Sequence, residues 1–251
     1  MRTISFFGVK GGLGKSTLTT NVAVGLVRRG KKVLVIDSDF QGNTTFNLSV
    51  EDKKKTFFDV LNQEPIQEAI IHTKTGVDLI PSDDKILLVD DVFNQKNDIY
   101  RLKKQLLLLD YDFILIDNSP LLTMATKNSL VASDEIIIPM TCESYSMLGL
   151  EKTLQIVKTI QDKQSEMKLA RIKVGGVVFN KVQEDSFNST LQNQIKRECG
   201  KIGVKVYNSQ IKLSRAISRT NYSQTNVFDY TTRNSLVKAF NELIDEILQE
   251  Q

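Results

Sequence analysis

FFGVKGGLGKST, at residues 6–17, is the stretch that decides the fold of this chain. An apolar run leads into it and an amphipathic run follows it, which predicts a strand, a Gly-rich turn and a helix. Glycines lack a Cβ atom, so such a turn can present consecutive N–H groups to a polyphosphate at the start of the helix. We therefore predict a phosphate-binding loop in which Lys15 reaches the β- and γ-phosphates and the Ser16 hydroxyl binds Mg²⁺.

The loop departs from the standard pattern G-x-x-x-x-G-K-[ST]. Val9 stands where that pattern has its first glycine, and a second lysine, Lys10, lies inside the loop. The sequence K-G-G-x-G-K-[ST]-T resembles the deviant Walker A loop of the ParA/MinD family of ATPases. The resemblance implies an ATP-bound homodimer in which Lys10 reaches the partner's nucleotide and acts in catalysis together with Lys15. The nucleotide-binding residues predicted in this loop are Lys10, Gly11, Gly12, Leu13, Gly14, Lys15, Ser16 and Thr17.

The composition is that of an ordinary globular chain, with 41% hydrophobic and 25% charged residues and a net charge of +3. Two cysteines without C-x-x-C spacing and a single histidine offer too few ligands for a zinc or iron–sulfur site. We expect Cys142 and Cys199 to be buried thiols in a reducing compartment. No apolar run approaches the roughly 18 residues of a membrane span, and no signal peptide precedes the first strand. These features predict a cytoplasmic protein that forms one domain over residues 1–251.

A second motif, DSDFQGN at residues 37–43, follows an apolar run that suits a strand buried on both faces of a parallel sheet. Carboxylates at the end of such a strand lie where open α/β sheets bind ligands. Taken alone, they also suit a helix cap or a surface turn. The segment resembles the D-x-D-x-Q-G-N signature of the same family. That resemblance implies that Asp39 is catalytic and positions the attacking water, and that Asp37 supports the phosphate loop.

A third motif is the acid that ends the apolar run YDFILID at residues 111–117. A buried strand ending in aspartate is the Walker B arrangement, in which the carboxylate holds Mg²⁺ through a water. Taken alone, Asp117 is an ordinary strand end. Together with the other motifs it is our second predicted magnesium ligand, beside Ser16. Members of the family usually continue D-x-P-P, whereas this chain continues Asp117-Asn118-Ser119-Pro120.

Strands and helices alternate along the chain, which predicts an α/β, doubly wound, mainly parallel sheet flanked by helices, of P-loop NTPase type. Further strands are expected at residues 77–81, 135–139 and 173–180, and helices at 56–61, 66–71, 100–109 and 236–248. Asn180 falls where the family places an asparagine that contacts the adenine of ATP. The alternative is that Asn180 is an ordinary turn residue.

Basic residues cluster between residues 196 and 233, a stretch that contains eight lysines and arginines and two acidic residues. They are Lys196, Arg197, Lys201, Lys205, Lys212, Arg215, Arg219 and Arg233. Such a cluster attracts nucleic-acid phosphates, although it also suits a solvated face. Within it, residues 210–216 resemble the "rLSEA" segment of the family, with arginine at 215 in place of glutamate. This resemblance implies non-specific DNA binding through Lys212, Arg215 and Arg219, association with the nucleoid, and a ParB-like centromere-binding partner in plasmid or chromosome partition.

Related ATPases with the same type of phosphate loop provide three competing hypotheses for the function. A MinD-like ATPase that cycles on membranes and positions a cell structure needs a basic amphipathic C-terminal helix, whereas residues 241–251 are acidic. An ATP-driven electron donor needs interfacial cysteines, and a related tyrosine kinase needs a tyrosine-rich tail that this sequence lacks. The sequence therefore favours a DNA-partition ATPase without a membrane partner.

Overall fold

The computed structural model describes residues 1–230 and 235–249, except for the side chain of Lys96. Arg233, which the basic cluster included, and residues 250 and 251 of the acidic terminus lie outside the described residues. Eight strands form one sheet: β1 Arg2–Phe6, β2 Val33–Ser38, β3 Ile71–His72, β4 Asp78–Ile80, β5 Phe113–Asn118, β6 Glu135–Met140, β7 Lys173–Val182 and β8 Val206–Lys212.

The strand order in the sheet is β3-β4-β2-β5-β1-β6-β7-β8. All neighbouring pairs are parallel except β3 with β4. The helices are α1 Lys15–Val27, α2 Asn43–Asn47, α3 Phe57–Leu61, α4 Val89–Val92, α5 Arg101–Leu106, α6 Met124–Ala132, α7 Ser146–Glu166, α8 Ser186–Lys201, α9 Arg215–Tyr222, α10 Val227–Tyr230 and α11 Ser235–Gln249. The predicted mainly parallel, doubly wound sheet is confirmed.

Two hydrophobic cores lie on the two faces of the sheet, because successive strand side chains point to opposite sides. Leu34 and Ile36 of β2 belong to the core formed with α5, α6 and α7, whereas Val33 and Val35 belong to the core formed with α1 and α11. Burial on both faces explains why the central strands read as continuous apolar runs. The two cysteines are free thiols and are buried, as expected.

Helix α1 lies unusually close to α10 and α11 at Gly25. A Cβ atom at this position would stand 2.2 Å from Ile244 Cδ1 and 2.9 Å from Phe228 Cζ, so the contact requires glycine. Because α1 begins at the phosphate loop, this packing holds one end of the loop against the C-terminal part of the chain.

The structure corrects two parts of the predicted fold. Residues 66–71 were expected to form a helix, but only Ile66–Ala69 forms a 3₁₀ turn, and Ile71 begins β3. A tight turn with Gly76 at φ 80° then returns the chain antiparallel along β4. The prediction also lacked β8, whose residues alternate between buried and exposed because it lies at the edge of the sheet.

Glu246 of α11 covers the open side of β8. The N–H groups of Asn208 and Ser209 donate to its carboxylate at 2.9 and 2.7 Å, and the Ser209 hydroxyl donates to the same group. Burial opposes the charge of Glu246, but these hydrogen bonds outweigh it and lower the pKa of the carboxyl. Covering part of an edge strand in this way reduces the backbone groups that another chain could pair with.

Replacing Glu246 by alanine should therefore destabilise the fold by about 1–3 kcal/mol, since two edge N–H groups lose a charged acceptor. The measurement is the free energy of unfolding in urea. Glu242→Ala is the matched control on the same helix, because Glu242 is exposed and, among the described residues, forms only a surface ion pair with Lys238 at 3.7 Å. Equal stabilities for the two variants would contradict the role given to Glu246.

Candidate functional site

The predicted phosphate loop connects β1 to α1 and lines a cavity of about 850 Å³. Gly12 and Gly14 adopt φ values of 75° and 83°, in the left-handed region that favours glycine. Cavity-lining residues of the loop are Gly11, Gly12, Gly14, Lys15, Ser16 and Thr17. The side chain of Leu13 is buried instead, and Leu13 Cδ1 would stand 2.8 Å from a Cβ atom at Gly8, so Leu13 can serve the site only through its main chain.

Asn180 lies at the end of β7, directly against the phosphate loop. Its Nδ2 donates to the carbonyl oxygen of Leu13 at 2.7 Å, and its Oδ1 accepts from the N–H of Lys181 at 2.9 Å. A Cβ atom at Gly14 would stand 2.1 Å from Asn180 Nδ2. The side-chain amide is thus engaged at both ends as a brace for the loop, while the neighbouring Lys181 lines the cavity.

Lys15 is the buried cation of the site, with a relative exposure of 6%. Burial lowers the pKa of its ammonium, and the negative charges of Asp117 and Asp39 act in the opposite direction. The amino group therefore stands between the ends of two strands rather than in solvent, as expected of a lysine that meets phosphates.

Asp37 and Asp117 are paired residues on β2 and β5, and both are fully buried. Burial is the main cause that raises the pKa of each carboxyl, and the charge of Asp37 raises that of Asp117 further. Asp37 accepts hydrogen bonds from Thr45 N at 2.8 Å, Thr45 Oγ1 at 2.7 Å and Asp39 N at 3.2 Å. These hydrogen bonds go to the segment after β2, and the expected support of the phosphate loop by Asp37 stays a prediction.

Asp117 meets the requirements of a magnesium ligand. Its Oδ2 accepts from Thr44 Oγ1 at 2.8 Å, and among the described residues its buried Oδ1 has no hydrogen-bond partner. The Ser16 hydroxyl lowers the pKa of the same carboxyl. A hard cation prefers such oxygen donors, so the residues present fit Mg²⁺. Sequence reasoning missed Thr44, for which the only signal was its place at the start of α2.

Asp39 is buried, with 7% exposure, and lines the cavity. Its Oδ1 accepts from the N–H of Gln41 at 3.1 Å, and its carbonyl oxygen accepts from the N–H of Gly42 at 2.9 Å. This turn fixes the carboxylate at the cavity wall. Ser119 and Pro120, where the chain departs from D-x-P-P, line the same cavity.

Lys10 lies on the outer side of the loop, where its Nζ forms an ion pair with Glu143. The hydrogen bond from Lys10 is the main cause that lowers the pKa of Glu143. Glu143 follows β6, and its N–H donates to Ser146 Oγ at 3.2 Å at the start of α7. Sequence reasoning missed this partner, since residues 133 positions apart carry no spacing signal.

Helix α9 forms the remaining wall of the cavity, through Ile217, Ser218, Asn221 and Tyr222. The Ser214 hydroxyl caps this helix by accepting from the N–H of Ala216 at 3.2 Å. Arg215 and Arg219 are exposed one turn apart, and within residues 1–230 and 235–249 neither makes an ion pair. Lys212, by contrast, pairs with Glu184.

Comparison with known proteins agrees with this arrangement. Residues 1–170 match a family described as an AAA domain. The chromosome partitioning protein ParA of Caulobacter vibrioides is 29% identical over all of this chain and 95% of its own length. The chromosome-partitioning ATPase Soj of Treponema pallidum is 31% identical over 98% of this chain and 97% of its own length.

Three solved structures share the fold at lower identity. An ATP complex of a McdA variant from Cyanothece has a TM-score of 0.84 at 22% identity and covers 99% of this chain and 96% of its own. Cobyrinic acid a,c-diamide synthase of Mycobacterium smegmatis, with ADP and magnesium, has a TM-score of 0.83 at 22% identity and covers 100% and 95%. The cell division ATPase MinD of Pyrococcus furiosus has a TM-score of 0.78 at 24% identity and covers 100% and 99%. The family match and the Soj relative show that this chain belongs to the ParA/Soj family of P-loop ATPases.

Proposed function

We propose that the chain is a Mg²⁺-dependent ATPase that dimerises with ATP, binds DNA non-specifically and drives plasmid or chromosome partition with a ParB-like centromere-binding partner. The observation that carries the proposal is a single cavity that joins the phosphate loop, Asp39 and α9. Its nucleotide end supports hydrolysis, and α9, which forms one wall of it, also carries the exposed arginines Arg215 and Arg219. The relatives named as partitioning proteins support the cellular role.

ATP hydrolysis follows from the charges around the cavity. The loop N–H groups and Lys15 hold the phosphates, and Ser16 and Asp117 hold the metal, with Thr44 orienting Asp117. Bound Mg²⁺ supplies positive charge that stabilises the phosphates during transfer. Asp39 orients the attacking water, since its carboxylate is fixed at the cavity wall. Asn180 serves ATP by bracing the loop, and its second amide N–H and the second lone pair of Oδ1 remain for the predicted contact with adenine.

Dimerisation with ATP uses Lys10. In the single chain this lysine is paired with Glu143, and it must leave that carboxylate to reach the partner's phosphates. An exposed ion pair such as Lys10–Glu143 contributes little to the stability of the fold. Lys10 can therefore leave Glu143 for the partner's phosphates when ATP is bound. Glu143 therefore sets the cost of moving Lys10 from its own chain to the partner.

DNA binding uses the exposed arginines of α9. The same helix also lines the nucleotide cavity, so ATP and DNA would contact neighbouring parts of one element. A dimer brings two such helices to one duplex, which raises affinity through effective concentration. Hydrolysis then releases DNA by separating the two copies. This cycle places the protein on the nucleoid in the cytoplasm.

The MinD-like alternative needs an apolar helix face free to enter a lipid surface. In α11 the apolar side chains are buried against the sheet and α1, namely Leu236, Phe240, Leu243, Ile244 and Ile247. Across the described part of the chain, no helix is both long and apolar enough to span a membrane. The packing of α11 favours the DNA-partition function over membrane cycling.

Asp117→Asn should abolish Mg²⁺-dependent turnover and stabilise the nucleotide-free protein by about 1–2 kcal/mol at pH 8. The folded-state pKa of Asp117 is raised above its unfolded value, so ionisation costs stability as the pH rises through the folded pKa. The gain should shrink as the pH falls below the folded pKa and should vanish only below the unfolded value of 3.8, where the carboxyl is protonated in both states. Urea unfolding at several pH values measures it, with the exposed Asp91→Asn as control. A variant that is less stable at pH 8 than the wild type would contradict this account.

Lys10→Ala should bind ATP as a monomer and fail to dimerise, because it loses the contact to the partner's phosphates. Glu143→Gln should do the reverse and dimerise at about three- to tenfold lower ATP concentration, since Lys10 is released. Sedimentation velocity across an ATP titration measures both effects. The matched control is Glu151→Gln, which changes an exposed acid of α7. A normal dimer in the Lys10 variant would remove this residue from the interface.

The double change Arg215→Ala and Arg219→Ala should weaken binding to all DNA sequences alike and flatten the salt dependence by about one unit of slope for each lost phosphate contact. Turnover without DNA should hardly change, because neither side chain faces the nucleotide. Fluorescence anisotropy on two unrelated duplexes at several salt concentrations, with and without ATP and Mg²⁺, measures this. Lys54→Ala with Lys74→Ala, two exposed lysines outside the basic cluster, is the charge-matched control. Unaltered affinity and slope in the α9 variant would show that this helix face is only solvated.

A further inference from the structure

Lys181 stands on a strained turn of the backbone at the rim of the nucleotide cavity. It belongs to β7, yet its φ of 56° lies in the left-handed region that favours glycine. Four other described residues besides glycines have a positive φ, and each lies two residues beyond the end of a helix, where this conformation is common. They are Ser49, Gln63, Lys168 and Gln224. Among the described residues, Lys181 is thus the only non-glycine residue with this conformation inside a strand.

A β-bulge produces this conformation. On β8 the partners of Asn180 and Val182 are consecutive residues, so Lys181 is an extra residue in β7. Asn180, which braces the phosphate loop, holds the bulge by accepting the Lys181 N–H at 2.9 Å. Bulges redirect side chains and occur often beside active sites. Glycine would fit this backbone without strain, so the presence of lysine here indicates a use for the side chain.

The charge of Lys181 is free to meet a ligand. Its side chain is exposed, and within the described part of the chain no carboxylate forms an ion pair with it. The hydrogen bond from Lys10 is the main cause that lowers the pKa of Glu143, and the positive charge of Lys181 adds to this effect. Glu143 is already paired with Lys10, however. The charged residues that line the nucleotide cavity are Lys15, Asp39 and Lys181, and of the two lysines only Lys181 is exposed.

The position of Lys181 in the sheet decides which part of a nucleotide it can reach. Asp39 and Asp117 stand at the ends of β2 and β5, on one side of β1 and its phosphate loop, whereas β7 lies on the other side. The γ-phosphate belongs on the first side, because the metal ligand and the residue that orients water act on it. On the second side the cavity continues past Lys181 to α9, which leaves room there for the nucleoside. Since Lys15 and Ser16 serve the β- and γ-phosphates, the phosphate left for Lys181 is the α-phosphate.

We propose that Lys181 is a nucleotide-binding residue whose ammonium group contacts the α-phosphate. An ammonium binds a phosphate oxygen through a charge-assisted hydrogen bond, and the bulge fixes the backbone from which the side chain extends. ATP and ADP both carry this phosphate, so Lys181 binds them alike and holds ATP equally before and during transfer of the γ-phosphate. The choice of the α-phosphate rests on the roles proposed for Asp39 and Asp117, whereas nucleotide binding by Lys181 does not.

Calorimetric titrations of the full chain with ATP and with ADP, each with Mg²⁺, test the contact. Lys181→Met removes the charge but keeps most of the length of the side chain, and it should weaken both nucleotides about tenfold and by the same factor. Lys173→Met is the matched control, because it changes an exposed lysine at the opposite end of β7, and it should bind like the wild type. Unchanged affinities in the Lys181 variant overturn the proposal. Weakening of ATP alone would place the contact on the γ-phosphate and overturn the choice of the α-phosphate.

A second arm separates direct contact from an effect that travels through Glu143. Loss of Lys181 also changes the electrostatic surroundings of the ion pair between Glu143 and Lys10. A Glu143→Gln background removes that route, and in it Lys181→Met should still weaken ADP about tenfold. ADP is the ligand for this arm, because the exchange of Lys10 described above depends on a triphosphate. Disappearance of the effect in the Glu143→Gln background overturns the direct contact.

Lys181→Gly distinguishes a role of the side chain from a role of the backbone. Glycine suits a φ of 56°, so this variant should melt at the same temperature as the wild type or at a higher one. It should nevertheless weaken ADP about as much as Lys181→Met does. A lower melting temperature with unaltered ADP affinity would make the residue structural and would overturn the proposal.

Steady-state turnover separates this contact from the groups that carry out hydrolysis. Because the α-phosphate contact is the same in the bound substrate and in the transition state, Lys181→Met should raise KM for ATP about tenfold and leave kcat within about twofold. A fall in kcat at unchanged KM overturns the α-phosphate contact. Full turnover in Asp39→Ala would remove the role proposed for Asp39, while the calorimetric result for Lys181 would stand.

Discussion

The site depends on two like charges that the sheet forces together. Parallel pairing of β2 with β5 places Asp37 opposite Asp117, in a region without solvent. Such a pair is unfavourable unless cations and hydrogen bonds compensate it. Thr44 and Thr45 of α2 supply hydroxyl groups, and Lys15 supplies a positive charge. The position of α2, the burial of Lys15 and the oxygen donors for a metal therefore all follow from the same electrostatic requirement.

The central fold could be predicted because its signals are local. Continuous apolar runs reveal strands that are buried on both faces, and the Gly-rich turn fixes the join between β1 and α1. The edges of the sheet gave weaker signals. Strand β8 alternates polar and apolar residues and contains a register shift against β7, and β3 has only the residues Ile71–His72. Short or irregular pairing of this kind depends on tertiary contacts that no sequence window contains.

The candidate site was predictable only where one stretch of chain carries it. Gly12, Gly14 and Lys15 stand in one loop, and their spacing alone indicates phosphate binding. Contacts between segments that are distant in the sequence could not be predicted. The contact of Asn180 with adenine stays a prediction, whereas its hydrogen bond to the carbonyl oxygen of Leu13, across 167 positions, could not be predicted. The pairing of Lys10 with Glu143 and the placement of α9 at the cavity have the same origin, because both arise from how the strands assemble.

The covering of β8 by Glu246 also bears on how the protein is made. During synthesis β8 leaves the ribosome before α11, so its edge N–H groups bind only water until α11 has formed and docked. In that interval the nascent chain carries an exposed strand edge, the feature through which unfinished proteins aggregate. Docking of α11 therefore protects this edge only late in folding. A chain truncated before residue 246 would keep a nearly complete nucleotide site but would leave the edge of β8 exposed. Chaperones and proteases would be expected to remove such a chain.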